Sequence, residues 1–382
     1  MLSYPPSVLW ASVVFCGSQL AFALSTCYHI NICANMRNYA AYNMKIFFVS
    51  SSRSPWFESQ LASEHMKYAP YSVDAIGCNL EMLGHKVRWA GWPSSKNPFR
   101  LAHLIDEFKP DIIYTYGAMV SLHPIFCRRF LCRHKDFKIV HGWDDEYGVI
   151  WNNLIGWPGK FFFDWMEKMI VTKSDRVVTL SHFLQKKGKR WGVECHYIPN
   201  GADPVPPERI KGNIKLEGRF NIVYTGDKVQ WKRTDDICRS MQSLPKDIKL
   251  YLTGHDAPYL KPYASDNCIF LGYLTKEEQY NVMSQADAFA VTADQDCNAK
   301  IHEYLRWRKP ILGYDGRTNL LFTNNRNALL APNGNYAPLI ERLASDPELC
   351  KTIADNAAQD IPVLSWREIA QEFEKFFTML KA

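Results

Sequence analysis

Short apolar segments alternate with amphipathic helical segments along most of this chain, and that alternation constrains its fold more than any other feature. From Met44 onward, the pattern predicts strands at 45–50, 86–90, 111–116, 137–141, 176–180, 196–198, 220–225, 249–253, 268–271, 286–291, 310–314 and 328–330. Helical patterns lie between them. Parallel strands need long crossover connections, and helices then cover both faces of the sheet. The chain is therefore predicted to be an α/β protein with parallel sheets.

A proline-rich break divides this pattern into two similar halves. The segment GADPVPP at 201–207 fits neither a helix nor a central strand. We predict two Rossmann-like domains in tandem. The predicted units are an extension at 1–43, a first domain at 44–205, a linker at 206–218, a second domain at 219–364, and a C-terminal helix at 365–382 that packs back toward the first domain. Ligands of such sheets bind at the carboxyl ends of the strands, so the cleft between the domains is the predicted site.

Composition excludes several other classes of protein. A chain of 382 residues favours two domains, and 47% hydrophobic with 22% charged residues is typical of globular proteins. The net charge of +6 is scattered, which argues against nucleic-acid binding. The eleven cysteines include no C-x-x-C pair, so reduced thiols in a cytoplasmic protein are expected, with no zinc site and no disulfide framework.

The first 43 residues differ from the rest. Residues 7–24 form an uncharged, largely apolar run of about 18 residues, the lower limit for a spanning helix. No basic residue precedes it, because the first is Arg37, and this disfavours a secretory signal. A marginal membrane anchor and an extension upstream of a functional start at Met44 both remain open. We favour the extension and expect residues 1–43 to be dispensable.

A lysine and a glutamate stand one helical turn apart in the sequence that follows the predicted strand 286–291. Lys300 and Glu303 would share a face at the start of a short helix. A lysine in a first turn opposes the helix dipole, so an external anion such as a diphosphate would explain it. Glu303, one turn deeper, could accept hydrogen bonds from sugar hydroxyls. The alternative is a weak surface ion pair.

Several short motifs, in order, resemble a known family. VVTLS at 177–181 is similar to the family's VVAVS strand, and YIPNGAD at 197–203 to its IPNGVD segment. IVYTG at 222–226, followed by Lys232, resembles VYVGR…KG, and KIHEY at 300–304 with KP at 309–310 resembles KLxEYLAxGKPV. The family is the glycosyltransferase family 4-like group, retaining glycosyltransferases of GT-B fold. The resemblance runs over roughly residues 44–382.

The resemblance implies a nucleotide-sugar site in the second domain. It assigns Lys232 and Lys300, beside the strand-end glycine Gly226, to the diphosphate and Glu303 to the ribose. Positive charge on the leaving diphosphate would then make a metal ion unnecessary. Asp227 stands where the family usually has arginine. Either Lys228 or Arg233 compensates, or diphosphate binding is weaker than usual.

The donor-sugar side also departs from the family pattern. The family places a glutamate eight residues before the ribose glutamate, but this chain has Gln295, which cannot supply charge. Asp294 and Asp296 flank it as a D-x-D, which resembles the metal site of the other main glycosyltransferase fold. We disfavour that alternative because the two-domain pattern does not fit it.

In the first domain, HGWDDE at 141–146 follows a predicted strand and resembles a family segment at the cleft. His141 would bond the donor sugar there, and the acidic run would orient an acceptor hydroxyl; a structural histidine is the alternative. The aromatic segment 157–169 is either a crossover helix covering the first sheet, which we favour, or a peripheral membrane contact.

Together, these features predict a glycosyltransferase that moves a sugar from a nucleotide-sugar donor to a glycan or lipid-linked acceptor. The resemblance implies retention of configuration, no metal and no other cofactor, and we expect a cytoplasmic enzyme that could associate with a membrane. The catalytic candidates are His141, Gln295 and Lys300. A sugar-nucleotide epimerase of the same fold and a non-catalytic glycan- or nucleotide-binding relative remain as alternatives.

Overall fold

The computed structural model describes residues 43–50, 72–91 and 94–381, which form two parallel six-stranded sheets. The first sheet has the order β2-β1-β3-β4-β5-β6 and the second β12-β11-β10-β7-β8-β9. The first contains β1 (Lys45–Ser50), β2 (Lys86–Ala90), β3 (Ile112–Tyr116), β4 (Lys138–Trp143), β5 (Arg176–Thr179) and β6 (Cys195–Tyr197). The second contains β7 (Phe220–Tyr224), β8 (Ile248–Thr253), β9 (Cys268–Gly272), β10 (Ala288–Val291), β11 (Ile311–Tyr314) and β12 (Leu329–Ala331). The predicted GT-B architecture of two Rossmann-like sheets is confirmed.

Helices connect the strands and cover the sheets. In the first half these are α1 (Ser72–Met82), α2 (Pro98–Phe108), α3 (Leu122–Phe130), α4 (Tyr147–Ile155), α5 (Trp157–Lys173) and α6 (His182–Arg190). In the second half they are α7 (Thr234–Met241), α8 (Lys276–Ser284), α9 (Ala299–Arg306), α10 (Ala337–Ser345), α11 (Pro347–Asp360) and α12 (Trp366–Lys381). None of the helices in the described ranges is both long and apolar enough to cross a membrane.

Both faces of each sheet are buried, as parallel sheets require. In β1, Ile46 and Phe48 enter the core on one face, whereas Phe47 and Val49 enter the core on the other. Because successive side chains of a strand point to opposite faces, both sets must be apolar when helices lie on both sides. This is why the strands read as continuous apolar runs in the sequence.

Most predicted strand boundaries are right to within two residues, and one difference affects the site. We expected a strand at 137–141 with His141 at its end, but β4 continues to Trp143. Parallel pairing with β5 extends to Trp143, opposite Thr179, so the sheet holds the chain extended for two further residues. His141 therefore lies inside the strand, and Asp144 is the first residue beyond it.

The last helix, α12, belongs to the core of the first domain although it follows the second in sequence. Ile369, Phe373 and Phe377 of α12 pack in the same cluster as Ile46 and Phe48 of β1. Backbone hydrogen bonds anchor its approach, since Ala202 N donates to Leu364 O at 2.8 Å. The predicted extension at 1–43 lies outside the described residues, apart from Asn43.

Phe377→Ala should destabilise the first domain by about 3–5 kcal/mol, because it removes a large side chain that is fully buried between α12 and the sheet. Met379→Ala, at a side chain of the same helix that is 64% exposed, is the matched control and should change stability by less than about 0.5 kcal/mol. Denaturant unfolding measures both. Equal effects of the two substitutions would show that α12 is not part of this core.

Candidate functional site

The carboxyl end of β7 and the start of α9 meet at a glycine and a lysine. Lys300 lies in the first turn of α9, where the side chain of Asn298 caps the helix by accepting from Lys300 N. The Nζ of Lys300 donates to Thr225 Oγ1 at 3.1 Å. A Cβ on Gly226, whose φ is +103°, would lie 2.0 Å from Lys300 Nζ, so only glycine leaves room for the ammonium group.

A buried tyrosine holds these two elements together. Tyr304 stacks on Phe289 of β10 with ring centroids 4.3 Å apart. Its hydroxyl accepts from Thr225 N at 2.8 Å and lies 3.1 Å from Thr225 Oγ1. The end of β7 is thus fixed relative to α9 by packing and by hydrogen bonds, so the position of Lys300 is set by the fold.

Lys232 and Lys300 lie within electrostatic reach of each other. Burial lowers the pKa of Lys300 to about 8, and the positive charge of Lys232 acts in the same direction. Burial also lowers the pKa of Lys232, against the opposing effects of Asp227 and Asp145. The backbone of Lys232 is tied to β10 because Thr292 Oγ1 donates to Lys232 O at 2.6 Å. Two partly desolvated cations held together in this way favour a bound anion.

The two residues predicted to compensate for Asp227 are directed elsewhere. Lys228 is only 5% exposed, and its Nζ donates to the carbonyl of Thr253 at 3.0 Å. Arg233 pairs with Asp236 at 2.9 Å and lies 4.1 Å from the ring centre of Tyr314. Lys228 and Arg233 are therefore engaged within the second domain, whereas Lys232 and Lys300 are the cations that share the site.

Glu303 lies one turn beyond Lys300, as predicted, and it has a partner that the sequence did not indicate. Lys276, the first residue of α8, donates to Glu303 Oε1 at 2.8 Å. Both side chains are more than a third exposed, so this ion pair is weak and a ligand can compete with it. The negative charge of Glu303 also opposes the lowering of the Lys300 pKa, so the two groups lie near each other.

The residues after β10 connect the second domain to the first. Asp296 accepts from Ser181 Oγ at 2.6 Å and from the backbone N–H of Phe183 at 3.0 Å, and so caps α6 of the other domain. Cys297 Sγ lies 3.5 Å from the carbonyl of Asp144. Asp294 instead accepts from Arg317 N, within its own domain.

The two aspartates of the D-x-D pattern, Asp294 and Asp296, are both hydrogen-bonded within the protein. The carboxylates of Asp294 and Asp296 accept hydrogen bonds from donors of the protein in two different directions. No group of three or more His, Cys, Asp or Glu side chains within 43–50, 72–91 and 94–381 is placed to hold a metal ion. The pattern has a structural use here, as a helix cap and a loop contact.

Gln295 faces an aspartate across the cleft. Its Nε2 donates to Asp145 Oδ1 at 3.2 Å. Burial raises the pKa of Asp145 to about 8, and the neighbouring charge of Asp144 acts in the same direction, whereas Gln295 and Lys232 lower it. Asp145 therefore lies beside the amide of Gln295 and within electrostatic reach of Lys232.

His141, expected to contact the donor sugar, lies in the interior of the first domain. It has no exposed surface, and its Nδ1 is 3.0 Å from Thr115 Oγ1 while its Nε2 is 3.4 Å from the hydroxyl of Tyr147. Burial lowers its pKa to about 3, so the imidazole is neutral. The expected position at the strand end is wrong because β4 is longer; Asp144 and Asp145 occupy that place.

A second polar network joins the domains beside this site. Glu146 pairs with Arg317 of the second domain and with Lys187 at 3.3 Å. Lys187 also pairs with the buried Glu167 at 2.6 Å. The guanidinium of Arg317 lies 3.7 Å from the ring centre of Phe183, the residue whose N–H is capped by Asp296. The ion pair between Glu146 and Arg317 and the cap of α6 by Asp296 thus both stabilise the contact between the domains.

One face of the aromatic helix α5 is buried and the opposite face is exposed. Phe163, Met166 and Ile170, on the inner face of α5, pack in a buried cluster of the first domain, in agreement with the favoured crossover helix. Trp157 and Phe161, however, are 77% and 76% exposed, and Trp165 and Phe162 are also exposed. Because Trp157, Phe161 and Trp165 recur every four residues, they form one outward stripe.

Several residues of the site lacked a sequence signal. No sequence motif indicated Lys276, because it stands 27 positions before its partner Glu303. Arg317 begins a short 3-10 helix after β11, and its partner Glu146 is 171 positions away. Asp145 stands in the acidic run that the sequence analysis noted, but its contact with Gln295 depends on how the domains meet.

Comparisons with known proteins agree with this fold. Residues 57–205 match the family described as Glycosyltransferase Family 4. An uncharacterized glycosyltransferase of Methanocaldococcus jannaschii is 23% identical over 251 residues, which is 58% of this chain and 62% of that protein. The match thus spans less than two-thirds of that relative's length.

Solved structures share the architecture over most of the chain. Sucrose-phosphate synthase from Thermosynechococcus elongatus has a TM-score of 0.70 at 15% identity, covering 88% of this chain and 99% of that one. HepE from Anabaena in complex with UDP has a TM-score of 0.63 at 17% identity, covering 88% of this chain and all 100% of that one. HepE has also been solved with UDP-glucose. The family match over residues 57–205 and the shared two-sheet fold make this chain similar to glycosyltransferases of family 4 with the GT-B fold.

Proposed function

We propose that this protein transfers a sugar from a nucleoside diphosphate sugar to a glycan or lipid-linked acceptor, with retention of configuration. The observation that carries the proposal is the pairing of Lys232 and Lys300 beside Gly226 at the carboxyl end of β7. Burial lowers the pKa of both lysines, and the charge of Lys232 lowers that of Lys300 further, so the pair gains from a ligand with two negative charges. A diphosphate at this point has that charge and size.

The leaving group explains why these cations would act in catalysis as well as in binding. When the bond between the sugar and the diphosphate breaks, negative charge develops on the diphosphate oxygen. Lys232 and Lys300 are already positioned there by Thr292, Thr225 and the fold, so they need little reorganisation. Glu303 lies on the same helix face and would accept from the ribose hydroxyls, in exchange for its ion pair with Lys276.

The fold relatives suggest which donor to test first. HepE, which shares the fold, binds UDP and UDP-glucose. Uridine nucleotides are therefore the first probes, followed by other nucleoside diphosphates and their sugars. Retention of configuration and the acceptor class follow from the family resemblance, and free, reduced cysteines in the described part of the chain fit a cytoplasmic enzyme. Conversion of a nucleotide sugar to its epimer, independent of any acceptor, would instead indicate an epimerase.

Lys300→Ala should weaken binding of UDP far more than binding of uridine, by about 1.5–3 kcal/mol, because a charge-assisted contact to phosphate is lost. Glu303→Ala should weaken both ligands to a similar extent, because ribose is common to them. Isothermal titration calorimetry of each variant with each ligand separates the two roles. Lys351→Ala, an exposed lysine on α11, is the control and should change neither affinity.

The pH dependence gives the same assignment a second test. A bound diphosphate raises the pKa of Lys300 above its value of about 8 in the free protein. The contribution of Lys300 to UDP affinity is therefore complete below pH 8 and lost as the pH rises through the pKa of the complex. If wild-type protein binds no nucleoside diphosphate, or if both substitutions lower only the melting temperature, Lys300 and Glu303 have a structural role and the proposed function is wrong.

We also propose that the reaction needs no metal ion, since the two lysines supply the charge that a cation supplies in other transferases. Turnover of the donor should remain within about twofold when a chelator is present and when magnesium or manganese is added. The measurement is release of nucleoside diphosphate from the nucleotide sugar. Complete loss with chelator, restored by either metal, would contradict the proposal.

The exposed stripe of α5 supports a peripheral contact with an anionic membrane, which fits a lipid-linked acceptor. Helix α5 itself also carries the exposed Lys160 and Lys168. Aromatic side chains flanked by basic ones are typical of interfacial helices. The crossover role and the membrane contact are compatible, because they use opposite faces of α5.

Trp157→Ala combined with Phe161→Ala should reduce binding to vesicles containing phosphatidylglycerol by about tenfold or more, since two exposed aromatic side chains no longer enter the interface. Cosedimentation with such vesicles and with pure phosphatidylcholine measures the effect. Tyr273→Ala, at a residue of the second domain that is 74% exposed, is the control. Unchanged vesicle binding of the double variant would exclude this surface.

A further inference from the structure

We propose that Asp145 of the first domain supplies, across the cleft, the carboxylate that Gln295 lacks on the donor-sugar side. This inference rests on the proposed transfer function and assigns a residue to it. The relevant position is eight residues before Glu303, where this chain has an amide. The structure brings a carboxylate from the opposite domain to that amide.

The geometry of the pair carries the inference. Gln295 Nε2 donates to Asp145 Oδ1 at 3.2 Å, although 150 positions separate them in the chain. An amide cannot carry a charge, but it can orient a carboxylate by donating to it. Gln295 would then act as a positioning residue, and Asp145 as the group that faces the sugar. The remaining oxygen of Asp145, Oδ2, is free of any hydrogen bond to Gln295.

The surroundings of Asp145 match a group placed next to the reacting centre. It stands at the carboxyl end of β4, where ligands of parallel sheets bind. Burial raises the pKa of Asp145 to about 8, and the negative charges of Asp144 and Glu146 act in the same direction, whereas the charge of Lys232, one of the two proposed diphosphate contacts, favours the ionised form. The carboxyl group therefore lies within electrostatic reach of the lysine that would hold the leaving group.

The step needs a negative charge at this point but no bond to it. The bond from the anomeric carbon to the diphosphate oxygen breaks, and its electron pair leaves with the diphosphate toward Lys232 and Lys300. A bond forms from the acceptor hydroxyl oxygen to the anomeric carbon, and the hydroxyl proton passes to the departing diphosphate. Positive charge develops on the sugar ring meanwhile and favours the ionised form of Asp145, whose carboxylate stabilises that charge or accepts from a sugar hydroxyl.

Exchanging the two side chains separates this role from a mere domain contact. The variants are Asp145→Asn, Gln295→Glu, and the double variant that carries both changes. Each side-chain exchange conserves size, and the double variant restores one carboxylate and one amide to the pair with their places reversed. If only the hydrogen bond between domains mattered, Asp145→Asn would be tolerated, because an amide oxygen can accept from Gln295 as well.

We expect Asp145→Asn to lower kcat on the order of 100-fold for the nucleotide sugar that the wild type turns over, starting the search with UDP-glucose. The Kd for UDP should stay within about twofold, since Asp145 does not contact the diphosphate. The double variant should recover at least tenfold of the lost kcat. Asp296→Asn alters another contact across the cleft and so measures the effect of loosening the domain contact by itself. Adding Gln295→Glu to Asp296→Asn should not rescue its kcat.

The outcomes distinguish this inference from the proposed function. Wild-type protein that binds UDP and turns over donor, with Asp145→Asn retaining its kcat, overturns the role of Asp145 alone. Loss of kcat in Asp145→Asn without any rescue in the double variant also overturns it, because the lost activity then does not depend on a carboxylate within this pair. Absence of any nucleotide binding by the wild type overturns the proposed function itself.

Discussion

The contact made by residues 295–297 across the cleft is the constraint on which the site depends. Asp296 caps α6 of the first domain, and Gln295 donates to Asp145 beside it. A carboxylate at a helix N-terminus is favoured by the free N–H groups and by the helix dipole. One loop of the second domain thereby determines how the strand ends of both sheets face each other. Lys232 and Lys300 of the second domain and the acidic run 144–146 of the first therefore stand on opposite sides of the cleft.

Opposite charges are divided between the two sides of the cleft. The second domain brings Lys232 and Lys300 together, whereas the first brings Asp144, Asp145 and Glu146. Burial works against the charged form on both sides, since it lowers the pKa of the lysines and raises that of Asp145. Each half is unfavourable alone and is partly compensated by the other. Such destabilised charges are characteristic of sites whose remaining partner is a ligand.

Sequence reasoning was most successful for features that depend on neighbours in the chain. Strands such as 45–50 and 86–90 were predicted to the residue, because both faces of a parallel strand are apolar and polar segments end it. Lys300 and Glu303 were placed one turn apart on a helix for the same local reason. His141 was misplaced because pairing with β5, a contact distant in sequence, extends β4 by two residues. Strand ends depend on the partner strand, which composition does not reveal.

The sequence by itself determined the two α/β units, their order, and which lysines and glutamate gather after the strands of the second. Only the tertiary structure decided the partners of those groups. It paired Lys276 with Glu303, turned Lys228 and Arg233 away from the cleft, and opposed Gln295 with Asp145. The physical reason is that periodicity and capping act within a few residues, whereas an ion pair or hydrogen bond across a cleft joins residues that only the packing of two domains brings within 3–4 Å.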